Sequence, residues 1–274
     1  MRKSLLLLAG RRGGVCRAPA RKLGAGGGES EIESGFFSIL LQSVTLRLPS
    51  AGSDGASRAA GRHAPSDAMR DVDLALCLAV DVSASVDYDE FGLMMGGLAA
   101  AWRQAALVAA ATSGPRGAVA VTLLQWSGPG AQALAVPWHL VTDAASASAL
   151  ADAIDNSPRL PPPGATALGE GMAAALARLA AFPAWAERLV LDVSGDGAGN
   201  TGRPSGPVRD LAVEAGVVVN GLAVLNEEPD LLAHYEAEVI GGPGCFAMAC
   251  ADYADFAEAI ARKLFREIRG SLSV

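Results

Sequence analysis

The stretch Leu74-Ala75-Leu76-Cys77-Leu78-Ala79-Val80-Asp81-Val82-Ser83-Ala84-Ser85 decides the fold. Seven apolar residues run without polar alternation, which fits a strand covered on both faces, as in the parallel sheet of an α/β protein. The run stops at one carboxylate and two hydroxyls on alternate positions. In open α/β sheets ligands bind beyond the carboxyl ends of the strands, so Asp81, Ser83 and Ser85 stand where a site is expected.

Downstream, the pattern alternates between helix and strand. Asp87 and Glu90 have capping-box spacing and predict a helix with Phe91, Met95, Leu98 and Trp102 on one core-facing stripe, ended by Gly114-Pro115. Residues 118–126 and 131–140 read as strands joined by a turn at residues 127–130. Pro137 marks the second of these as the sheet's antiparallel margin. Ser127 lacks the preceding glycine of a nucleophile elbow and reads as a turn serine. A helix is expected over residues 143–156, then a rigid Pro161-Pro162-Pro163-Gly164 loop, then Thr166 ahead of an Ala-rich helix that runs to about Phe182. Taken alone, Thr166 is also a common kind of helix N-cap.

Residues 189–194 form the next apolar strand and lead into Gly195-Asp196-Gly197-Ala198-Gly199-Asn200. The chain has no G-x-G-x-x-G and no Gly-Lys-Ser/Thr, so nucleotide binding is unsupported. The glycines instead let the backbone bend so that Asp196 reaches a neighbouring loop. Asp192 interrupts the strand and belongs either to the site or to a hydrogen-bonded layer behind it. A helix (204–215), a strand (217–224), a helix (230–239) and a short strand (244–249) follow. Asp252 is expected to cap a closing helix in which Phe256, Ile260, Leu264 and Ile268 recur every four residues. This succession is that of an α/β fold with a mostly parallel sheet and one antiparallel edge strand.

Composition divides the 274 residues in two. Residues 1–70 hold eleven Lys/Arg against five Asp/Glu, and residues 71–274 hold eleven against twenty-four. The first segment is rich in Gly, Ala, Arg and Ser and is expected to be low-complexity and disordered, with the folded domain over 71–270. An acidic domain argues against a nucleic-acid partner. No run approaches the length of a transmembrane span. Cys16, Cys77, Cys245 and Cys250 form no C-x-x-C pair, which argues against structural zinc. Cys245 and Cys250 are expected on opposite faces of one strand, out of reach of each other.

Three loops therefore supply oxygens: Asp81, Ser83 and Ser85; Thr166; and Asp196. Hard oxygens without His or Cys select Mg²⁺, Mn²⁺ or Ca²⁺. Asp-x-Ser-x-Ser, then Thr, then Asp, in that order, resembles the metal-ion-dependent adhesion site of the von Willebrand factor type A domain, over about residues 73–269. The phrases at 79–85, 125–130, 193–197, 202–204, 225–230 and 239–244 resemble a bacterial stand-alone group described only as a domain of unknown function. That resemblance implies a six-stranded sheet between helical layers, with the metal at its carboxyl edge. It further implies direct contacts from Ser83, Ser85 and Thr166, with Asp81 and Asp196 acting directly or through waters. Many members carry Thr-Asp-Gly or Ser-Asp-Gly after the fourth strand, whereas Gly195 here separates Ser194 from Asp196.

Two carboxylates and neutral hydroxyls leave a divalent ion with appetite for one more anionic oxygen. The expected function is thus non-catalytic: binding a protein, or a ligand with a carboxylate, whose Asp or Glu completes the metal. A metal-dependent hydrolase on the same site is one rival class. It would need a base beside the ion, and His63, His139 and His234 all lie outside the site loops. A structural domain whose metal only orders loops is the other. Residues 1–9 begin like an export signal that Arg11 and Arg12 cut short. The expected location is periplasmic or secreted, with cytoplasmic as the alternative, and a start near Met69 would remove the export argument.

Overall fold

The computed structural model describes residues 69–270. The signal-like start and most of the expected low-complexity segment lie outside the described residues. In chain order the elements are β1 (Val72–Asp81), α1 (Tyr88–Trp102), α2 (Ala105–Ala111), β2 (Val119–Trp126), β3 (Gln132–Val141), α3 (Ala144–Asp155) and α4 (Leu168–Ala180). Then come β4 (Ala186–Gly195), α5 (Ser205–Glu214), β5 (Val217–Val224), the short α6 (Leu231–His234), which continues as a π-turn over Tyr235–Val239, β6 (Ala247–Cys250) and α7 (Phe256–Arg269).

The six strands form one sheet in the order β3-β2-β1-β4-β5-β6. All pairs are parallel except β2 with β3, so the antiparallel edge strand stands where Pro137 put it. β1 is central because both its faces are apolar, and the two faces differ in size. Leu74, Leu76, Leu78 and Val80 join one core with α1, α3 and α7, whereas Ala75, Cys77 and Ala79 join the other with α4 and α5. Each buried leucine contributes about 1.5–3 kcal/mol, and the small residues let α4 lie close to the sheet.

The order has a second consequence. After β1 the chain builds outward through β2 and β3, then crosses back to place β4 on the other side of β1. The switch point therefore falls between the carboxyl ends of β1 and β4, where a crevice opens in folds of this kind. Val80 is level with Ser194, so Asp81 and Asp196 flank that crevice.

Several elements differ from the sequence expectation. The first helix breaks after Trp102 and turns by 65° into α2. Gln104 is extended there, and the bend brings Leu107 and Ala111 into the core. Residues 230–239 are not one regular helix, because Ile240 N–H closes a wide turn onto Tyr235 O at 3.0 Å. Asp252 does not cap α7. Its carboxylate accepts from Ala254 N–H (2.8 Å) and Asp255 N–H (3.2 Å), a turn that precedes the helix, whose N-cap is Asp255. Cys245 lies before β6 rather than within it. Among the described residues no single helix is long and apolar enough to cross a membrane; α1 and α2 together would pass only as a bent pair.

Candidate metal centre

β1 ends at Asp81, and the following turn carries Ser83 and Ser85. Asp81 Oδ1 accepts from Ser83 N–H at 2.8 Å, which folds the turn back over its own carboxylate. The Pro-rich loop comes next to it: Ala84 N–H donates to Gly164 O at 2.8 Å, and the Arg159 guanidinium donates to Val82 O and Ser83 O at 2.6 and 2.7 Å. Asn200 fastens the third loop. Its N–H donates to Thr166 O at 2.9 Å while its side-chain oxygen accepts from Thr166 N–H at 3.1 Å.

These clasps bring all five expected oxygen-bearing side chains together. Thr166 Oγ1 donates to Ser83 Oγ at 3.2 Å, Ser83 Oγ and Ser85 Oγ are 3.1 Å apart, and Ser85 Oγ donates to Asp196 Oδ1 at 2.8 Å. Asp81, Ser83 and Asp196 are fully buried, Thr166 nearly so, and Ser85 opens to solvent. Thr166 does not cap α4. The N-cap is Ala167, without a side-chain hydrogen bond, so the hydroxyl is committed to the cluster. Gly195 does what its position required: a Cβ there would meet Asp81 Oδ2 at 3.0 Å.

Burial dominates the electrostatics of the two carboxylates. Burial, and then the charge of Asp196, push the Asp81 acid up to about 8. Burial pushes Asp196 to about 6 against the lowering bond from Ser85. Asp81 Oδ2 and Asp196 Oδ2 are buried with no hydrogen-bond partner in the protein. Buried carboxylate oxygens are normally satisfied, and a hard divalent ion is one partner that would satisfy these two. Adjacent ligand oxygens around an octahedral ion with bonds of 2.0–2.1 Å stand about 3 Å apart, and the three contacts in this chain of oxygens have that spacing. The set fits a hard divalent ion. Among the described residues no group of three or more His, Cys, Asp or Glu is placed to hold a metal ion.

The remaining candidates fall elsewhere. Asp192 lies behind the site, where its carboxylate meets Lys263 Nζ at 2.6 Å and accepts from Ser194 Oγ at 3.3 Å. Ser127 donates to Pro162 O at 2.9 Å, holding the Pro-rich loop to the end of β2. His139 Nε2 is 2.9 Å from Ser146 O, and His234 lines a cleft of about 370 Å³ beside Asn200, Arg203 and Ser205. Sequence reasoning missed Arg159, Asn200, Tyr235 and Lys263. Only Asn200, at the end of a glycine-rich loop, carried a local signal.

The three-layer fold is the one that von Willebrand factor type A domains have. The von Willebrand factor type A protein from Catenulispora acidiphila superposes with a TM-score of 0.51 at 17% identity, over 73% of this chain and 43% of that one. The pilus adhesin SpaC from Lactobacillus rhamnosus GG gives 0.52 at 16%, over 72% and 31%. Proximal thread matrix protein 1 from the mussel byssus gives 0.49 at 15%, over 72% and 46%, and that protein has also been solved with zinc in its metal-ion-dependent adhesion motif. This chain thus spans less than half the length of each. The family model described as protein of unknown function (DUF1194) matches residues 71–272, and the chain belongs to that family. No curated protein matches it.

Proposed function

We propose that this domain is a non-catalytic binding module that holds Mg²⁺, or Mn²⁺ or Ca²⁺ in its place, through Asp81, Ser83, Ser85, Thr166 and Asp196, and captures a protein or other ligand through a carboxylate. The observation that carries this reading is the pair of buried, unpartnered carboxylate oxygens beside three clustered hydroxyls. When bound, the ion supplies Lewis acidity and an open position for an anionic oxygen. The chain's own part is mechanical. Ser83 N–H fixes Asp81, Asn200 fixes Thr166, and exposed Ser85 leaves one side of the cluster open to a partner.

Binding is favoured over hydrolysis by what surrounds the cluster. Around it, the hydroxyls and two aspartates are assigned to the ion, Glu228 accepts from Ala198 N–H, Glu90 is held in the capping box with Asp87, Asp192 is engaged by Lys263, and His139 is engaged by Ser146 O. We place the protein outside the cytoplasm, supported by the basic and apolar opening of the sequence. Cell fractionation checks that location.

The test is a pull-down with and without EDTA, read by mass spectrometry, with Asp81→Ala alongside. Partners that leave in EDTA and are not captured by the variant support the proposal. Equal capture in all arms, or phosphatase or esterase turnover with Mg²⁺ or Mn²⁺, overturns it.

A further inference from the structure

Tyr235 opens the π-turn after α6 and is completely buried. Its ring lies in a slot made by two glycines on adjacent strands. A Cβ on Gly221 of β5 would collide with the edge of the ring, and a Cβ on Gly195 of β4 would lie 3.2 Å from the phenolic oxygen. Any other residue at Gly221 would displace the ring. The π-turn matters to the aim: Ile240 N–H reaches back five residues to Tyr235 O, and such one-turn widenings recur at functional sites because they re-aim a side chain.

The slot points the phenol at the metal centre. The same hypothetical Cβ on Gly195 would be 3.0 Å from Asp81 Oδ2, so the Tyr235 hydroxyl and that carboxylate oxygen both lie close to one point. They are no farther apart than the sum of those two distances, a gap that one water bridges. Neither atom has a hydrogen-bond partner in the protein. Burying a hydroxyl unsatisfied costs about 1–3 kcal/mol, and a phenylalanine would fill the slot without that cost. A water between these two orphaned polar atoms, one a donor and one an acceptor, removes the difficulty for both.

We propose that Tyr235 is a positioning residue of the metal centre, a role that rests on the metal reading above: its hydroxyl donates to the Oδ2 side of Asp81 through one water. Asp81 Oδ1 is already fixed by Ser83 N–H. The phenol fixes the other oxygen, so the carboxylate is held from both sides in the orientation the ion requires. Ligating carboxylates are commonly held in this way, and losing such a support costs roughly ten- to a hundredfold in metal affinity.

Isothermal titration of the full chain with MgCl₂ or MnCl₂ tests this with Tyr235→Phe. The variant is expected to bind roughly ten- to a hundredfold more weakly, while its metal-free melting temperature does not fall. A second measurement uses the wild-type fold. The chain has three tyrosines, Tyr88, Tyr235 and Tyr253; with ¹³Cζ-labelled tyrosine, the signal lost in Tyr235→Phe identifies Tyr235, and that signal is expected to shift on adding Mg²⁺. A wild type that binds metal while the variant binds it equally well overturns the positioning role alone, as does a Tyr235 signal that metal leaves unmoved. A wild type that binds no divalent metal overturns the metal reading and this role with it.

Discussion

Asp81→Asn separates the cost of the metal centre from its benefit. The substitution keeps the oxygen that accepts from Ser83 N–H and removes one of the two carboxylate charges buried at the switch point. Burial and the neighbouring Asp196 raise the Asp81 acid from 3.8 to about 8. Between those values the metal-free fold binds a proton that the unfolded chain does not, so stability falls as pH rises through that window. At about 1.4 kcal/mol for each tenfold in proton affinity, keeping Asp81 costs the metal-free domain up to about 4 kcal/mol at pH 7. Asparagine carries no such cost. The metal-free variant should therefore melt above metal-free wild type, by up to about 10 °C for a domain of this size. Wild type should recover about 2.7 kcal/mol at Mg²⁺ a hundredfold over its Kd, and the variant should gain almost nothing. Scanning fluorimetry at pH 7 in EDTA and in Mg²⁺ reads both effects. A variant that melts below EDTA-treated wild type, or that responds to Mg²⁺ as wild type does, refutes the reasoning.

Two further outcomes are expected. Thr166→Val keeps the shape and removes the hydroxyl; because Thr166 caps no helix, metal-free stability should fall by about 1 kcal/mol or less, while titration calorimetry should show Mg²⁺ affinity down roughly tenfold or more. Glu267 on α7 shares Lys263 with Asp192, at 2.8 and 2.6 Å, and burial followed by the Asp192 charge raises its acid to about 8. A raised folded value means stability is lost as pH climbs from 4.5 toward 8. Glu267→Gln mimics the protonated acid, so its urea midpoint should gain on wild type between pH 6 and pH 9; parallel profiles for the two proteins would contradict this.

The lysine in that triad shows where local reading stops. Lys263 stands three residues after Ile260 and beside Leu264 on a helix read by its Phe256, Ile260, Leu264 and Ile268 stripe, yet a lysine is ordinarily a solvated charge. The fold instead buries it completely between Asp192 of β4 and Glu267, with Asn220 of β5 donating to the same Glu267 oxygen at 2.9 Å. Asp192 was the one visible symptom, a carboxylate in an apolar strand, and its partner lies 71 residues away in a different layer. The break after Trp102 and the π-turn at Tyr235 were hidden for a similar reason: helical periodicity continues through both, and only packing against other elements decides where the backbone departs from it.

By itself the sequence determined the central strand, the alternation of helix and strand, the edge position of the Pro137 strand, and the five oxygen-bearing residues of the candidate site. The elements follow from apolar run length, turn chemistry and residue type, which act over a few neighbouring positions, and the five residues from their order along the chain, since Thr166 alone reads as a helix cap. The tertiary structure decided that the five meet. Ser85 and Asp196 are 111 residues apart, and Ser83 and Thr166 are 83 apart. Their contact depends on β4 returning beside β1, a choice made by which faces of the sheet remain uncovered. The same choice created the glycine slot that turns Tyr235 toward Asp81.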